Sequence, residues 1–299
     1  MRRPYVDFMG NRRWLFLASA IVLTIAIGSL VFKPLKLGIE FKGGTVITLS
    51  NVQGATIAQV RAAANAAGIP GPEVQTTERG YIVRSSETKT VSAEQQATVL
   101  ADALKVAATD RQVSTIGPEW GSNITNSALL ALAVSMIAIL AYISIRFEYK
   151  MAVTGVIALV HDAVITLGIY ALLGRQVTPN TVAALLTILG YSLYDTIVVF
   201  HRIRENTQNL SKKTFMDMAN DSLNQVLARW VNTGLSSLIP VICLLVLGGE
   251  TLRDFAFALT VGLISGAYSS VAVASPLYAM WKEREPRFAA LRKKFAAAK

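Results

Sequence analysis

The sequence predicts a polytopic α-helical membrane protein: six transmembrane helices, with an α+β ferredoxin-like domain between the first and the second. Three observations predict it. Hydrophobic residues make up 53% of the 299 and charged residues only 16%, against about 25% charged for an average soluble domain. Six stretches are long and apolar enough to be helices crossing about 30 Å of hydrocarbon, which takes roughly 20 residues. The one long polar interval carries strand and helix patterns in the order β-α-β-β-α-β. A chain this apolar with a net charge of +10 is a poor candidate for a soluble enzyme. It is also a poor nucleic-acid binder, because such proteins spread basic residues over a polar face. The single cysteine, Cys243, excludes an internal disulfide framework and any zinc site built on several thiolates.

The spans fall at 14–32, 124–145, 152–173, 181–200, 231–247 and 255–281. Arg12 and Arg13 precede the first, as they would in a signal peptide. Its apolar run is too long for an h-region, however, and no A-x-A-like cleavage site follows, so it reads as an uncleaved anchor. An even number of spans puts both termini on one side. That side carries eighteen basic residues: Arg2, Arg3, Arg12, Arg13, Arg146, Lys150, Arg202, Arg204, Lys212, Lys213, Arg229, Lys282, Arg284, Arg287, Arg292, Lys293, Lys294 and Lys299. The two short loops on the other face carry one each, Arg175 and Arg253. By the positive-inside rule both termini are expected in the cytoplasm. The basic balance therefore records orientation in a bilayer rather than an acidic ligand. The expected organisation is a cytoplasmic N-terminus and first span (1–32), an external domain (33–119), spans two to six (120–281) and a basic cytoplasmic tail (282–299).

The external domain is read from amphipathic helical patterns at 55–67 and 92–108 and strand-like runs at 38–49, 73–77, 81–84 and 112–116. Ser92-Ala93-Glu94-Gln95 is a capping-box pattern, and Glu78-Arg79-Gly80 reads as a hairpin turn. The order is that of a ferredoxin-like fold. Nine basic residues face eight acidic ones across this interval, so it is no trap for polyanions. It holds neither histidine nor cysteine. It reads as a binding or mechanical module, and neither catalysis nor a cofactor or metal is expected. Gly43-Gly44, inside the first strand-like run, reads as a bulge or sharp bend.

Two carboxylates fall inside spans. Asp162 follows His161 near the middle of the third, and Asp195 lies towards the cytoplasmic half of the fourth. Placing an Asp near a helix centre costs on the order of 2.5–3.5 kcal/mol on translocon scales, so each should face the bundle and find a partner. Each is either a hydrogen-bond bridge between helices or a group that loads and unloads a proton. Arg229 directly precedes the fifth apolar run: it is either an interfacial anchor that snorkels or a counter-ion facing Asp195. Arg202, two turns beyond Asp195 on the same face, is a second candidate counter-ion. His161 and His201 both abut spans, His201 as an interfacial residue. In the sixth span Ala258, Gly262, Gly266, Ser270 and Ala274 recur every fourth residue, a stripe that lets helix backbones approach. Pro240 should kink the fifth span.

Several motifs resemble those of the SecD/SecF family of the RND superfamily, and together they cover the chain in order. Gly38-Ile39-Glu40-Phe41-Lys42-Gly43-Gly44-Thr45 is similar to the family's GIDF-x-GGT signature after the first span. Arg146-Phe147-Glu148-Tyr149 resembles its motif after the second, and His161-Asp162 its pair in the third. The run 190–206 (GYSLYDTIVVFHRIREN) resembles its fourth-span signature, with Gly190, Tyr194, Asp195 and Thr196 in it. The run 224–233 resembles its arginine-bearing fifth-span motif, while Gly248-Gly249 and 266–270 resemble its sixth. The resemblance implies an accessory subunit of the bacterial Sec preprotein translocase. Such a subunit would work with a SecD partner and the SecYEG channel, with YajC and the YidC insertase as further partners, in the cytoplasmic membrane. It implies that proton flow drives movements of the external domain, which would contact the preprotein. Asp195 then matches the membrane carboxylate of proton transport and Arg229 its arginine, with Asp162 alongside. Tyr194 stands where the family commonly has Asn and His201 where it has Asp. Ala267 replaces a Thr, and Ala228 and Trp230 replace a Ser and a Thr.

Six spans are half of a twelve-span RND unit, so a partner supplying the other half is implied. The leading reading is a helper that couples the proton motive force to late export. A non-conducting scaffold stabilising SecD and the channel is the alternative. An intramembrane aspartyl protease needs two carboxylates sharing a proton and a Gly-x-Gly-Asp element that this sequence lacks. A small-molecule exporter of the RND type would need a larger external domain and two six-span halves.

Overall fold

A computed structural model describes residues 5–52, 54–77, 79–85 and 92–296. Arg2, Arg3, Lys299 and Glu78 of the expected hairpin turn lie outside the described residues. The elements run α1 (Arg12–Phe32), β1 (Lys36–Leu37), α2 (Ile39–Lys42), β2 (Gly44–Ser50), α3 (Ile57–Ala66), β3 (Glu73–Thr77), β4 (Gly80–Ser85), α4 (Ala93–Ala103) and β5 (Arg111–Ile116). They continue with α5 (Pro118–Arg146), α6 (Tyr149–Leu173), β6 (Gln176–Val177), α7 (Pro179–Gln208), α8 (Phe215–Leu247), α9 (Gly249–Ser269), α10 (Ser275–Lys282) and α11 (Pro286–Ala296). Among the described residues, six helical stretches are long and apolar enough to cross a membrane: Arg12–Phe32, Glu119–Arg146, Tyr149–Leu173, Pro179–Gln208, Phe215–Leu247 and Leu252–Lys282. These are the six spans read from the sequence, and the chain is a multi-pass membrane protein. The chain divides into two compact units, one made of residues 1–36, 132–175 and 180–299 and the other of 37–131 and 176–179.

The second unit is built on an antiparallel sheet in the order β3-β4-β2-β5, with α3 between β2 and β3 and α4 between β4 and β5. Thr48 pairs with Ile82 on one side and with Gln112 on the other. Side chains alternate across a strand, so Ile47, Leu49 and Val83 point to one face. There they pack on Val60 and Ala64 of α3 and on Ala97 and Leu100 of α4. Thr56 starts α3 with a full capping box: its hydroxyl accepts from the Gln59 N–H, and the Gln59 side chain accepts from the Thr56 N–H. Ser92 caps α4 by accepting from the Gln95 N–H at 3.2 Å.

The glycine motif differs from the strand expected over 38–49. Residues Ile39–Lys42 form one helical turn with Gly38 before it, and the strand begins only at Gly44. Gly43 (φ +77°) and Gly44 (φ +142°) turn the chain out of that helix, so they are a helix stop rather than a bulge within a strand. Gly44 also lies so close to β4 that a Cβ on it would sit 2.4 Å from the Ser85 carbonyl oxygen. Gly121 does the same service from α5, where a Cβ would lie 2.7 Å from the Phe41 carbonyl oxygen. Phe41 itself is buried.

The first unit packs helices around a core that includes Ile143, Met151, Leu159, Phe200, Phe215 and Tyr278. Phe215 stacks on Phe288 at 4.8 Å and meets Tyr278 at 6.0 Å. α8 runs unbroken through Pro240. The N-terminal segment is strapped to α8 by two asparagines. Asn220 Oδ1 accepts from the Phe8 and Met9 N–H groups, and Asn224 accepts from the Val6 N–H and donates to the Val6 carbonyl. Lys282 donates to Glu148 (2.6 Å) and Glu285 (3.0 Å), and Lys150 donates to Glu285 (2.7 Å), joining the start of α6 to the end of α10.

Two outcomes follow from these contacts. Gly44→Ala should destabilise the α/β unit by about 1–3 kcal/mol, since it places a side chain in a disfavoured backbone region and against a carbonyl. Faster limited proteolysis within 44–116 of the detergent-solubilised protein reads it out; an unchanged cleavage rate would refute the close approach. Partial burial pushes the Glu285 carboxyl up, but hydrogen bonds from Lys150 and Lys282 outweigh it and hold the group below the usual carboxylate range. A depressed carboxylate contributes stability above its unfolded value and loses it as pH falls through the folded one. Glu285→Gln should therefore lower the melting temperature at neutral pH, and the deficit should shrink in acid below that range. An equal deficit at both pH values would show that the clamp acts through packing alone.

Candidate functional site

The two intramembrane carboxylates sit one on α6 and one on α7, and their surroundings are opposite. Asp162 is completely buried, at 0% exposure. Its Oδ1 accepts from the Ser265 hydroxyl at 2.7 Å and lies 3.1 Å from His161 Nδ1. Its Oδ2 accepts from the Ser192 hydroxyl at 2.7 Å and from the Ser269 hydroxyl at 2.8 Å. Ser192 belongs to α7 and both Ser265 and Ser269 to α9, so one carboxylate on α6 ties three helices. Each of its two oxygens has two polar neighbours. The ring of His161 stacks on Tyr268, whose hydroxyl donates to the Leu15 carbonyl of α1 at 2.7 Å.

Asp195 is also buried, at 4% exposure, but its Oδ2 has no hydrogen-bond partner among the described residues. Asp195 and Arg229 form no ion pair, and Arg229 is exposed. The expected pairing is therefore corrected for this arrangement. The Arg229 side chain instead lines an open groove of about 570 Å³ with His201, Arg202, Glu205 and Gln225. Arg202 is not a counter-ion of Asp195 either, because its guanidinium donates to Glu205 at 2.6 Å and also to Gln225. His201 is exposed in the same groove. The physical reason is local: Arg202 is held by Glu205 and Gln225, and Arg229 turns to the open groove rather than into the bundle.

Packing around Asp195 comes from α9. Gly262 and Gly266 bring that helix against α7 so closely that a Cβ on them would lie 2.1 Å from Ile188 Cδ1 and 2.8 Å from Ser192 Cβ. Gly190 does not share this role. A Cβ placed on it meets nothing within 4 Å, so the expectation from sequence that Gly190 is a helix-packing glycine like Gly262 and Gly266 is corrected. Tyr194 neither packs into the bundle nor bonds Asp195; it is 56% exposed and points out of the chain. Thr196 points inward, its hydroxyl 2.9 Å from that of Ser270. Residues Ser270–Ala274 form a π-helical segment, with the Ser275 N–H bonded to the Ser270 carbonyl. Such bulges often mark functional sites.

Sequence reasoning missed the three serines. The signal was present, since Ser265 and Ser269 are four apart and lie on one helix face, beside the glycine stripe that was read only as packing. The glycine motif residues Gly38, Phe41, Gly43 and Gly44 belong to the α/β unit and are not part of this bundle site.

A family model described as protein export membrane protein SecD/SecF, C-terminal, matches residues 95–284. The chain belongs to the SecD/SecF family. The model of the SecD/SecF GG motif matches residues 28–50, which contain the helix-stop glycines. The chain is 40% identical to the protein translocase subunit SecF of Streptomyces coelicolor, over 97% of this chain and 80% of that one. It is 36% identical to SecF of Desulfurispirillum indicum, over 98% of each. Among solved structures, SecDF of Thermus thermophilus, described as a translocon-associated membrane protein, superposes with a TM-score of 0.86 at 36% identity. That match covers 94% of this chain and 39% of the SecDF chain, so this SecD/SecF member spans about two-fifths of that relative's length.

Proposed function

We propose that this chain is an accessory subunit of the Sec preprotein translocase in the bacterial cytoplasmic membrane, acting with a SecD partner to couple the proton motive force to late-stage export. The observation that carries the coupling is the buried Oδ2 of Asp195 with no partner. An unpaired polar atom in a buried site is costly, and binding a proton turns that oxygen into a neutral group at the least expense. A ligand shifts a conformational equilibrium only by its different affinity for the two states. Here the ligand is a proton: one state leaves Asp195 apart from Arg229, and the other brings the ionised carboxylate to a cation. Membership of the family and the resemblance of the run around Asp195 support this role. α5 supports transmission, since one continuous helix has residues in both compact units.

A partner is supported by the outward face of α8. Asn232 is exposed there beside Leu235 and Ile239, whereas the Ser236 hydroxyl donates to the Thr233 carbonyl of its own helix. Polar side chains on the outside of an apolar span are satisfied by a neighbouring helix. In this reading the α/β unit is external and meets the preprotein. Both termini are cytoplasmic, and the SecYEG channel, YajC and YidC are the further partners. The alternative is a scaffold that stabilises SecD and the channel without conducting, in which Asp195 is structural.

Orientation is read with an impermeant maleimide on intact cells in a Cys243→Ser background. Ser114→Cys should label from outside, and Ala290→Cys only after the membrane is opened. The reverse pattern would invert the topology. For coupling, Asp195→Asn should leave the complex assembled and lower export to the level measured without a proton gradient. Loss of assembled complex with gradient-dependent export preserved in the remainder would favour the scaffold.

A further inference from the structure

We propose that Asp162 is a positioning residue and not a second proton carrier: it holds the Asp195-bearing helix in place by gathering serine hydroxyls from two helices onto one carboxylate. This rests on the proton-coupling role proposed for Asp195.

The geometry of the hydrogen bonds separates the two carboxylates. Every oxygen of Asp162 is occupied, Oδ1 by Ser265 and His161 and Oδ2 by Ser192 and Ser269. Among the described residues, His161 is the one titratable group in contact with it, and the other three contacts are serines that keep their protons. A proton added to Asp162 would force at least one of these donors to turn and accept instead, at a site with no exposure. Asp195, by contrast, offers an oxygen with no donor to displace.

Ser192 is the residue through which the hold reaches Asp195. It precedes Asp195 by three residues, one turn of α7, so both lie on the same helix face. Its hydroxyl goes to Asp162, while its carbonyl accepts from Thr196 at 3.1 Å and from Ser270 at 3.4 Å. Gly266 admits it against α9, where a Cβ would come within 2.8 Å of the Ser192 Cβ. The π-helical turn begins at Ser270, the residue that meets both Ser192 and Thr196. The turn of α7 around Asp195 is thus held from α6 by the Asp162 carboxyl and from the π-helical segment by the Ser270 hydroxyl. Three interhelical hydrogen bonds in a low-dielectric interior define one position sharply.

The test uses membrane vesicles holding the full chain with its partner and the channel, driven by an imposed proton gradient over a pH series. Asp162→Asn should lower the maximal export rate on the order of tenfold, the scale set by losing one or two interhelical hydrogen bonds. The residual rate should still depend on the gradient, with the midpoint of the pH profile unmoved. Ser265→Ala with Ser269→Ala should reproduce that loss, and adding both to Asp162→Asn should lower the rate little further, because all act through one unit. Hydrogen exchange of the complex should show faster amide exchange over 188–200 in Asp162→Asn than in the parent. Loss of gradient dependence in Asp162→Asn, or a shifted pH midpoint, overturns the proposal and makes Asp162 a carrier. An unchanged rate and unchanged exchange overturn it as well. Should Asp162→Asn fail to assemble, the serine pair carries the same readouts. If Asp195→Asn keeps gradient-dependent export, the coupling role fails; the exchange result then decides separately whether Asp162 holds α7.

Discussion

The bundle depends on a constraint that water would remove: a polar group inside hydrocarbon must find its partner in the protein. Asp162 meets it four times over, with Ser192, Ser265, Ser269 and His161 around one carboxylate. Because those partners come from α7 and α9 as well as α6, satisfying the charge and assembling the helices are the same event. The small residues of α9 are a consequence. With Gly262 and Gly266 at the contact, α9 lies close against α7 while its serines 265 and 269 reach Asp162 on α6.

Within that frame Asp195 is the carboxylate that departs from the rule. It is buried by the same packing and left with an unpartnered oxygen. Structures violate local rules of polar satisfaction mainly where function requires it. Among the described residues the violations in this region include Asp195 Oδ2, one turn from the serine that bonds Asp162, and the Nε2 of His161. The contrast underlies the two roles proposed for these aspartates, whose environments differ as they do for paired carboxylates in enzymes.

The α/β unit obeys soluble-protein rules instead. Its alternating strands bury Ile47, Leu49 and Val83 against two short helices, and its caps satisfy the helix ends. The glycine motif at its start is explained by sterics. Gly44 takes a backbone angle that suits glycine and lies against the Ser85 carbonyl, and Gly121 clears room for the Phe41 carbonyl. A close backbone approach of this kind needs no ligand to account for it.

The sequence by itself determined the six spans, the β-α-β-β-α-β order of the polar interval and the identity of the two buried carboxylates. These are legible because apolar length, side-chain period and the cost of a charge in hydrocarbon are local properties of the chain. Even the serine spacing at 265 and 269 was legible as a helix face, though not its target. Tertiary structure decided the rest: that Asp162 is caged and Asp195 is not, that Arg229 and Arg202 turn to a groove away from Asp195, that Gly190 and Tyr194 face outward, and that residues 39–42 coil before the strand begins. Each of these turns on which side chains meet across helices, and a distance between residues 30 to 107 positions apart is set by packing that no local pattern encodes.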